Sequence, residues 1–174
     1  MSDLISLIAN LALTLSLIVG VVFGIAQVRA AARDRRERLT LESLRHFQTR
    51  EFSELMHFMI TNRSFPSSQA GFRRLPGKEQ VRLLQFAQEM ESLGLLVAEG
   101  LIDLDLVDKT LGSFVTMSWS KYKEMFIDIR ERTPDPFLGE YFQWLAERIA
   151  ERMKQNPRKP FYDGGESLNG TLEE

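Results

Sequence analysis

The pattern of apolar and polar positions divides the chain into one long apolar run and a series of amphipathic segments. Residues 4–28 contain no charged side chain. As a helix at ~1.5 Å per residue, this run is about 37 Å long, which exceeds the ~30 Å hydrocarbon core of a bilayer. We therefore expect a single transmembrane helix here, tilted to fit the bilayer.

The charges that flank the apolar run predict its processing and its orientation. No lysine or arginine precedes the run, and it is about twice as long as the apolar core of a signal peptide, so we expect no cleavage. Five arginines instead follow it within residues 29–38. Because basic side chains stay on the cytoplasmic side, we expect a single-pass protein of the inner (plasma) membrane, with its N-terminus outside and its C-terminal domain in the cytoplasm.

Small residues recur at every fourth position of the apolar run, at Ala12, Ser16, Gly20 and Gly24. The two glycines form a GxxxG motif, which lets two helix backbones approach closely in lipid. We therefore predict a helix–helix interface at these four residues and a homo-oligomer. The alternative is that glycine and alanine are simply common in membrane helices.

The basic stretch at residues 29–38 contains three alanines and no Gly or Pro, so the membrane helix is expected to continue through it. A basic stretch at this position lies beside the lipid head groups. We therefore expect contacts with lipid phosphates from Arg29, Arg33, Arg35 and Arg36. The lipid bilayer is thus the expected partner. Nucleic acid is not expected, since the position of the arginines favours lipid and the net charge of the chain is −2.

Beyond the arginines, apolar positions recur with the helical period, and no segment of useful length shows the period of a strand. We predict an all-α fold in which the single N-terminal transmembrane helix continues into a cytosolic bundle of about five helices. Pro, Gly and Ser place a loop at residues 63–76 and a break at 133–136. The expected divisions are a transmembrane anchor at 1–28, a basic juxtamembrane helix at 29–38, a cytosolic helical domain at 39–155 and a disordered tail at 156–174.

Individual residues make finer predictions within the bundle. Asp103 is expected to cap a short helix that ends at Gly112, after which a separate helix begins. Gly94 lies inside a helical pattern, where a close crossing with another helix would explain it. In the same segment, Val81 and Leu84 are expected to face the core.

Helix boundaries and polar faces complete the predictions for the bundle. A helix break is expected near Thr49, and the last helix is expected to begin near Phe137. An acidic helix face formed by Glu89, Glu91 and Glu99 is expected to be solvated. Four aromatic residues at helical spacing could line a pocket but are expected in the core: Trp119, Tyr122, Tyr141 and Trp144.

Composition and motifs limit the chemistry of the chain. The absence of Cys excludes disulfides, Cys-ligated zinc, iron–sulfur clusters and cysteine nucleophiles. Glu54 and His57 form an E-x-x-H pair of the kind that supplies ligands in di-iron bundles, but that chemistry needs a second such helix and two further glutamates. His46, the other histidine, would share a face with His57 if one continuous helix held both. We predict no catalytic residue, no metal ligand and no cofactor.

Several stretches of the chain together carry a family resemblance. They are the apolar run 4–28, the basic stretch 29–38, the segment GLIDLDLVDKTLG at 100–112 with Trp119 downstream, and the segment EYFQWL at 140–145. In this layout the chain resembles a family of bacterial proteins of unknown function. The resemblance implies one N-terminal membrane helix, a small all-helical cytosolic domain and no particular activity.

Three functions fit these expectations. The first is a membrane-anchored interaction or regulatory module that self-associates through its membrane helix and binds an unknown cytosolic protein partner. The second is an oligomerising effector that perturbs the membrane under control of the cytosolic domain. In that case Ser6, Asn10, Thr14 and Gln27 would line a wet contact between helices. The third, with the least support, is a membrane-anchored, metal-dependent enzyme that uses the E-x-x-H pair.

Overall fold

The computed structural model describes residues 2–62, 65–133 and 135–163. These residues form six α-helices and a final 3₁₀ turn, and they include no strand, so the expected all-α fold is confirmed. The part of the predicted tail beyond residue 163 lies outside the described residues. The elements are α1 (Ser2–His46), α2 (Arg50–Thr61), α3 (Gln69–Arg73), α4 (Gly77–Ala98), α5 (Leu104–Arg132), α6 (Glu140–Gln155) and the 3₁₀ turn (Phe161–Asp163).

The first helix, α1, is a single helix of 45 residues. Every side chain at positions 4–28 is exposed, so this part of α1 packs against no other element among the described residues. Its most apolar stretch of 18 residues has a mean hydropathy of 2.4, and the helix is long and apolar enough to cross a membrane. The expected continuation of the helix through the basic stretch is confirmed.

A short break after His46 separates α1 from α2. Thr49 caps α2, because its hydroxyl accepts the Phe52 N–H at 3.3 Å. The predicted break is therefore confirmed. It also places His46 and His57 on different helices, so the shared face expected for one continuous helix does not exist.

The core lies between α2, α4, α5 and α6, and Tyr122 is at its centre. The Tyr122 side chain is fully buried, and its hydroxyl donates to the Leu83 carbonyl oxygen at 2.7 Å. Its ring stacks on Phe86 with the centroids 5.7 Å apart and meets the edge of Phe142 at 5.8 Å. Burial raises the pKa of Tyr122, so the hydroxyl stays protonated and remains a donor.

Two glycines allow α6 to approach its neighbours closely. A Cβ at Gly94 would lie 2.2 Å from the Tyr141 carbonyl oxygen, so the expected close crossing is confirmed. The helix end predicted at Gly112 is wrong, because α5 continues through this residue without a break. A Cβ at Gly112 would lie 2.5 Å from Asp108 Oδ1 and 3.3 Å from Ile149 Cγ2. Gly112 is therefore a packing position.

The face predicted for α4 is wrong at two positions. Val81 and Leu84 are both more than half exposed, whereas Leu83 and Phe86 are fully buried. This segment carries apolar residues on two sides, and the helical period alone allows either side to face inward. The contacts of Leu83 and Phe86 with Tyr122 decide the side that faces the core.

The last helix begins three residues later than predicted and runs antiparallel to α5. Gly139 precedes it with a φ of 68°, and a Cβ there would lie 2.8 Å from the Phe126 ring. Phe137, the predicted start, is 65% exposed. Trp144 is also exposed, so its predicted place in the core is wrong, whereas Trp119 is buried as expected. The antiparallel arrangement brings the end of α6 beside the beginning of α5.

Candidate functional site

The last turns of α1 join the membrane-length helix to the bundle. Thr40 is fully buried there. Its hydroxyl donates to the Arg36 carbonyl oxygen at 2.8 Å and accepts the Asp103 N–H at 3.1 Å. Phe47, which directly follows α1, is also buried and meets the ring of Phe52 with the centroids 4.8 Å apart. Packed side chains therefore attach α1 to the bundle, with no linker between them.

Asp103 serves both α5 and α1. Its Oδ1 accepts the N–H groups of Asp105 and Leu106 at 2.8 and 3.3 Å, which is the N-cap that the sequence predicted. Its Oδ2 lies 3.4 Å from Arg36 Nη2. The contact with α1 was not predicted, because Asp103 and Thr40 are 63 positions apart and no local pattern marks their contact.

A second group of charges connects the beginning of α5 with the end of α6. Arg152 Nη2 lies 3.0 Å from Asp105 Oδ1, and Arg152 Nε lies 3.7 Å from Asp108 Oδ2. Lys109 Nζ lies 2.6 Å from Asp105 Oδ2. None of these side chains is more than 35% exposed. Salt therefore screens them less than it screens pairs on the open surface.

These elements enclose a cleft of about 660 Å³, which we call the junction cleft. One wall is α1, and the other consists of the beginning of α5 and the end of α6. Four basic and three acidic side chains line it together with a few neutral ones. The lining residues are Arg33, Arg36, Lys109 and Arg152, then Glu37, Asp103 and Asp105, and finally Thr40, Leu41 and Leu106.

The four arginines predicted to contact lipid phosphates divide into two groups. Arg33 and Arg36 line the junction cleft, where Arg33 Nε lies 3.0 Å from Glu37 Oε1. Arg29 and Arg35 are exposed and do not line it. At about 100° per residue, Arg29 shares the face of Arg33 and Arg36, whereas Arg35 lies at least ~100° away. Contact with phosphate stays a prediction for all four.

The predicted helix–helix interface lies on the freely exposed part of α1. Ala12, Ser16, Gly20 and Gly24 are all exposed. A Cβ at Gly20 or Gly24 would meet no atom of the described chain within 4 Å. The packing of the protomer therefore does not require glycine at either position, in contrast to Gly94. The interface itself stays a prediction.

The E-x-x-H pair lies on the outer face of α2. Glu54 Oε1 accepts from Arg50 Nε at 3.0 Å, and His57 lines a separate groove of about 420 Å³. His46 lies elsewhere, with its Nε2 2.8 Å from Glu89 Oε2. Within the described part of the chain, no group of three or more His, Asp or Glu side chains could hold a metal ion.

The prediction of a solvated acidic face on α4 is wrong for Glu91. Its carboxylate accepts the N–H groups of Tyr141 and Phe142 at 3.2 and 2.9 Å, so it caps α6 from another helix. Gly139, at the N-cap position of α6, has no side chain to provide this bond. The sequence prediction missed this cap, because it began the last helix near Phe137 and because Glu91 lies 50 positions away from Tyr141.

Residues 14–149 match the protein family described as Domain of unknown function (DUF4760). The chain belongs to DUF4760. The match begins within the apolar part of α1 and extends into α6, so one DUF4760 domain includes the later part of the apolar segment together with most of the bundle. Membership in a family of unknown function is thereby confirmed. No curated protein and no solved structure matches the chain.

Proposed function

We propose that the chain is a single-pass, membrane-anchored helical module that self-associates through α1 and acts as an interaction or regulatory domain. The main observation in support of this proposal is that one unbroken helix leads from the exposed apolar segment to Thr40, which is buried in the bundle. A rotation or displacement of α1 in the membrane would therefore move the bundle as a rigid body. A protein bound to the bundle would sense that movement.

The location of the bundle follows from the charges beside the apolar segment. Five arginines follow that segment within residues 29–38. Under the positive-inside rule, this end of the span faces the cytoplasm of a cell with an inner or plasma membrane. The binding partner of the bundle would then be a cytosolic protein.

The arginines supply a second contact with the membrane in this proposal. Arg29, Arg33, Arg35 and Arg36 lie ~1.5 to 12 Å beyond Val28 along the helix axis, at ~1.5 Å per residue. The first of these positions coincide with the layer of lipid head groups, which is ~5–8 Å thick on each side of the hydrocarbon core. Each guanidinium near anionic lipid contributes ~1 kcal/mol of attraction.

The arrangement of faces on α1 supports self-association. Since successive residues turn by about 100°, Thr40 lies ~160° around the helix from both Gly20 and Gly24. The bundle packs on the Thr40 face, and the glycine face points away from it. Two copies of α1 could therefore meet through their glycines without a collision between their bundles.

Replacement of both Gly20 and Gly24 by Leu tests the proposal in the full-length protein. Energy transfer between donor- and acceptor-labelled copies in liposomes measures association. We expect about tenfold weaker association, because the leucines hold the two backbones apart. Val22→Leu is the matched control, since it adds bulk at the same depth ~160° away from both glycines. Energy transfer that is equal in the glycine variant and the wild type would refute self-association through this face.

The same liposomes separate the module from a membrane-perturbing effector. A dye trapped inside them reports permeability at increasing protein density. A passive module leaves the dye inside at every density. Leakage that depends on Gly20 and Gly24 would instead assign the oligomer to membrane perturbation.

A further inference from the structure

We propose that the junction cleft binds the head group of a glycerophospholipid that carries both a phosphate and a primary ammonium. The inference rests on the membrane span of the proposed function, because only a span holds the cleft beside the lipid head groups. The site would be a specific one for a single lipid molecule, in addition to the general attraction of the arginines for anionic lipid.

The end of the cleft nearest to the membrane reaches the layer of lipid head groups. Arg33 is five residues beyond Val28 and Thr40 is twelve residues beyond it, which correspond to ~7 and ~18 Å. The head-group layer extends ~5–8 Å from the hydrocarbon boundary. The end of the cleft at Arg33 therefore lies at the cytoplasmic edge of this layer, and the end at Thr40 lies about 10 Å farther into the cytoplasm.

The charges of the cleft follow the order of the charges in such a head group. Arg33 is the lining residue nearest to the membrane, and Arg36 follows one turn later. A phosphate, which adjoins the acyl chains, would meet these guanidinium groups first. An ammonium, which lies farther from the chains, would reach the level of Glu37, Asp103 and Asp105. Because four basic and three acidic side chains line the cleft, a zwitterion can pair with both signs, whereas a purely anionic ligand offers no cation to the carboxylates.

The side chains nearest to the membrane are available for a ligand. Arg33 and Glu37 are 81% and 59% exposed, and Arg33 Nε lies 3.0 Å from Glu37 Oε1. Exposed ion pairs of this kind contribute little to stability, so little free energy is lost when a lipid head group replaces one of the two partners. The deeper contacts of Thr40 and of Asp105 with Arg152 keep the two walls in place. The volume of about 660 Å³ lies within the usual range of ~300–1,000 Å³ for small-ligand sites.

Native mass spectrometry of the full-length protein in detergent tests the site. The protein is titrated with phosphatidylethanolamine, phosphatidylglycerol and phosphatidylcholine that carry identical acyl chains. We expect one phosphatidylethanolamine to bind with about tenfold preference over each of the others. Phosphatidylglycerol has no cation for the carboxylates, and the quaternary ammonium of phosphatidylcholine donates no hydrogen bond.

Two exposed residues provide variants that leave the folded contacts in place. Arg33→Gln should weaken binding of all three lipids about fivefold, the effect of one lost charge near a phosphate. Glu37→Gln should reduce the preference for phosphatidylethanolamine over phosphatidylglycerol about threefold, because one of three carboxylates no longer attracts the ammonium. Arg38→Gln is the matched control, since it removes the same charge ~140° around the helix from Arg33 and does not line the cleft.

Three outcomes would overturn the proposal. They are equal binding of the three lipids, equal effects of Arg33→Gln and Arg38→Gln, and competition by soluble glycerophosphoethanolamine at the same concentration as the lipid. The last outcome would assign the cleft to a free metabolite. Energy transfer measured on the same variants separates this result from the proposed function. If the preference for one lipid is lost while energy transfer between protein copies is unchanged, only the assignment of the cleft to a lipid is refuted, and the proposed function is not.

Discussion

Replacement of Thr40 by Val tests how strongly the junction holds α1 to the bundle. Valine preserves the branched shape of this fully buried side chain but removes its hydroxyl. The Asp103 N–H then loses its acceptor, which lies at 3.1 Å in the wild type. The Arg36 carbonyl oxygen keeps its helical partner. One backbone donor is therefore left unpaired, and we expect the free energy of unfolding to fall by about 1–3 kcal/mol.

Two measurements on the full-length protein in detergent detect this loss. Urea denaturation followed by tryptophan fluorescence reports the whole bundle, because Trp119 is buried in its core. Hydrogen exchange of the peptide that contains Asp103 reports the junction itself. A loss of 1–3 kcal/mol corresponds to exchange about 5- to 150-fold faster at that amide.

Two variants control for the hydroxyl and for the helix. Thr40→Ser retains the hydroxyl, so exchange at the Asp103 amide should stay slow. Thr110→Val makes the same chemical change at an exposed site, where the hydroxyl donates only to Leu106 and Val107 of its own helix. Its effect should remain within about 0.5 kcal/mol. A Thr40→Val protein with wild-type stability and exchange would refute the role of this contact.

Two further predictions concern packing and pH. Gly94→Ala places a Cβ 2.2 Å from the Tyr141 carbonyl oxygen, so we expect a loss of about 1–3 kcal/mol in urea denaturation despite the better helix propensity of alanine. Unchanged or higher stability would contradict this. The Gln69 N–H at 2.9 Å and then Arg132 at 2.8 Å hold the pKa of Asp128 below its usual value of about 3.8. A lowered pKa in the folded state contributes stability above about pH 4 that is lost as the pH falls through the lower value. The stability advantage of the wild type over Asp128→Asn should therefore be full at about pH 6 and should shrink below about pH 4. A constant difference down to about pH 2.5 would argue against this role of Asp128.

The candidate site was only partly predictable from the sequence. The basic stretch predicted that Arg33 and Arg36 lie beside the membrane-length segment, because their position along one helix is a local property. Their acidic neighbours are Asp103, which caps α5, and Asp105 of α5, and Arg152 comes from α6. No periodicity or motif relates these residues to α1, so only the tertiary structure shows that they line one cleft.

The sequence by itself determined the features that depend on near neighbours along the chain. The apolar run at positions 4–28 predicts a helix, because a membrane span must satisfy its backbone hydrogen bonds internally. The caps Thr49 and Asp103 bond to N–H groups within three residues. The tertiary structure alone decided which face of α4 is buried, that α5 continues through Gly112, and that Glu91 caps α6. Each of these outcomes depends on a partner far away in the chain. Local periodicity allows several such partners, and the dense packing of the assembled helices selects among them.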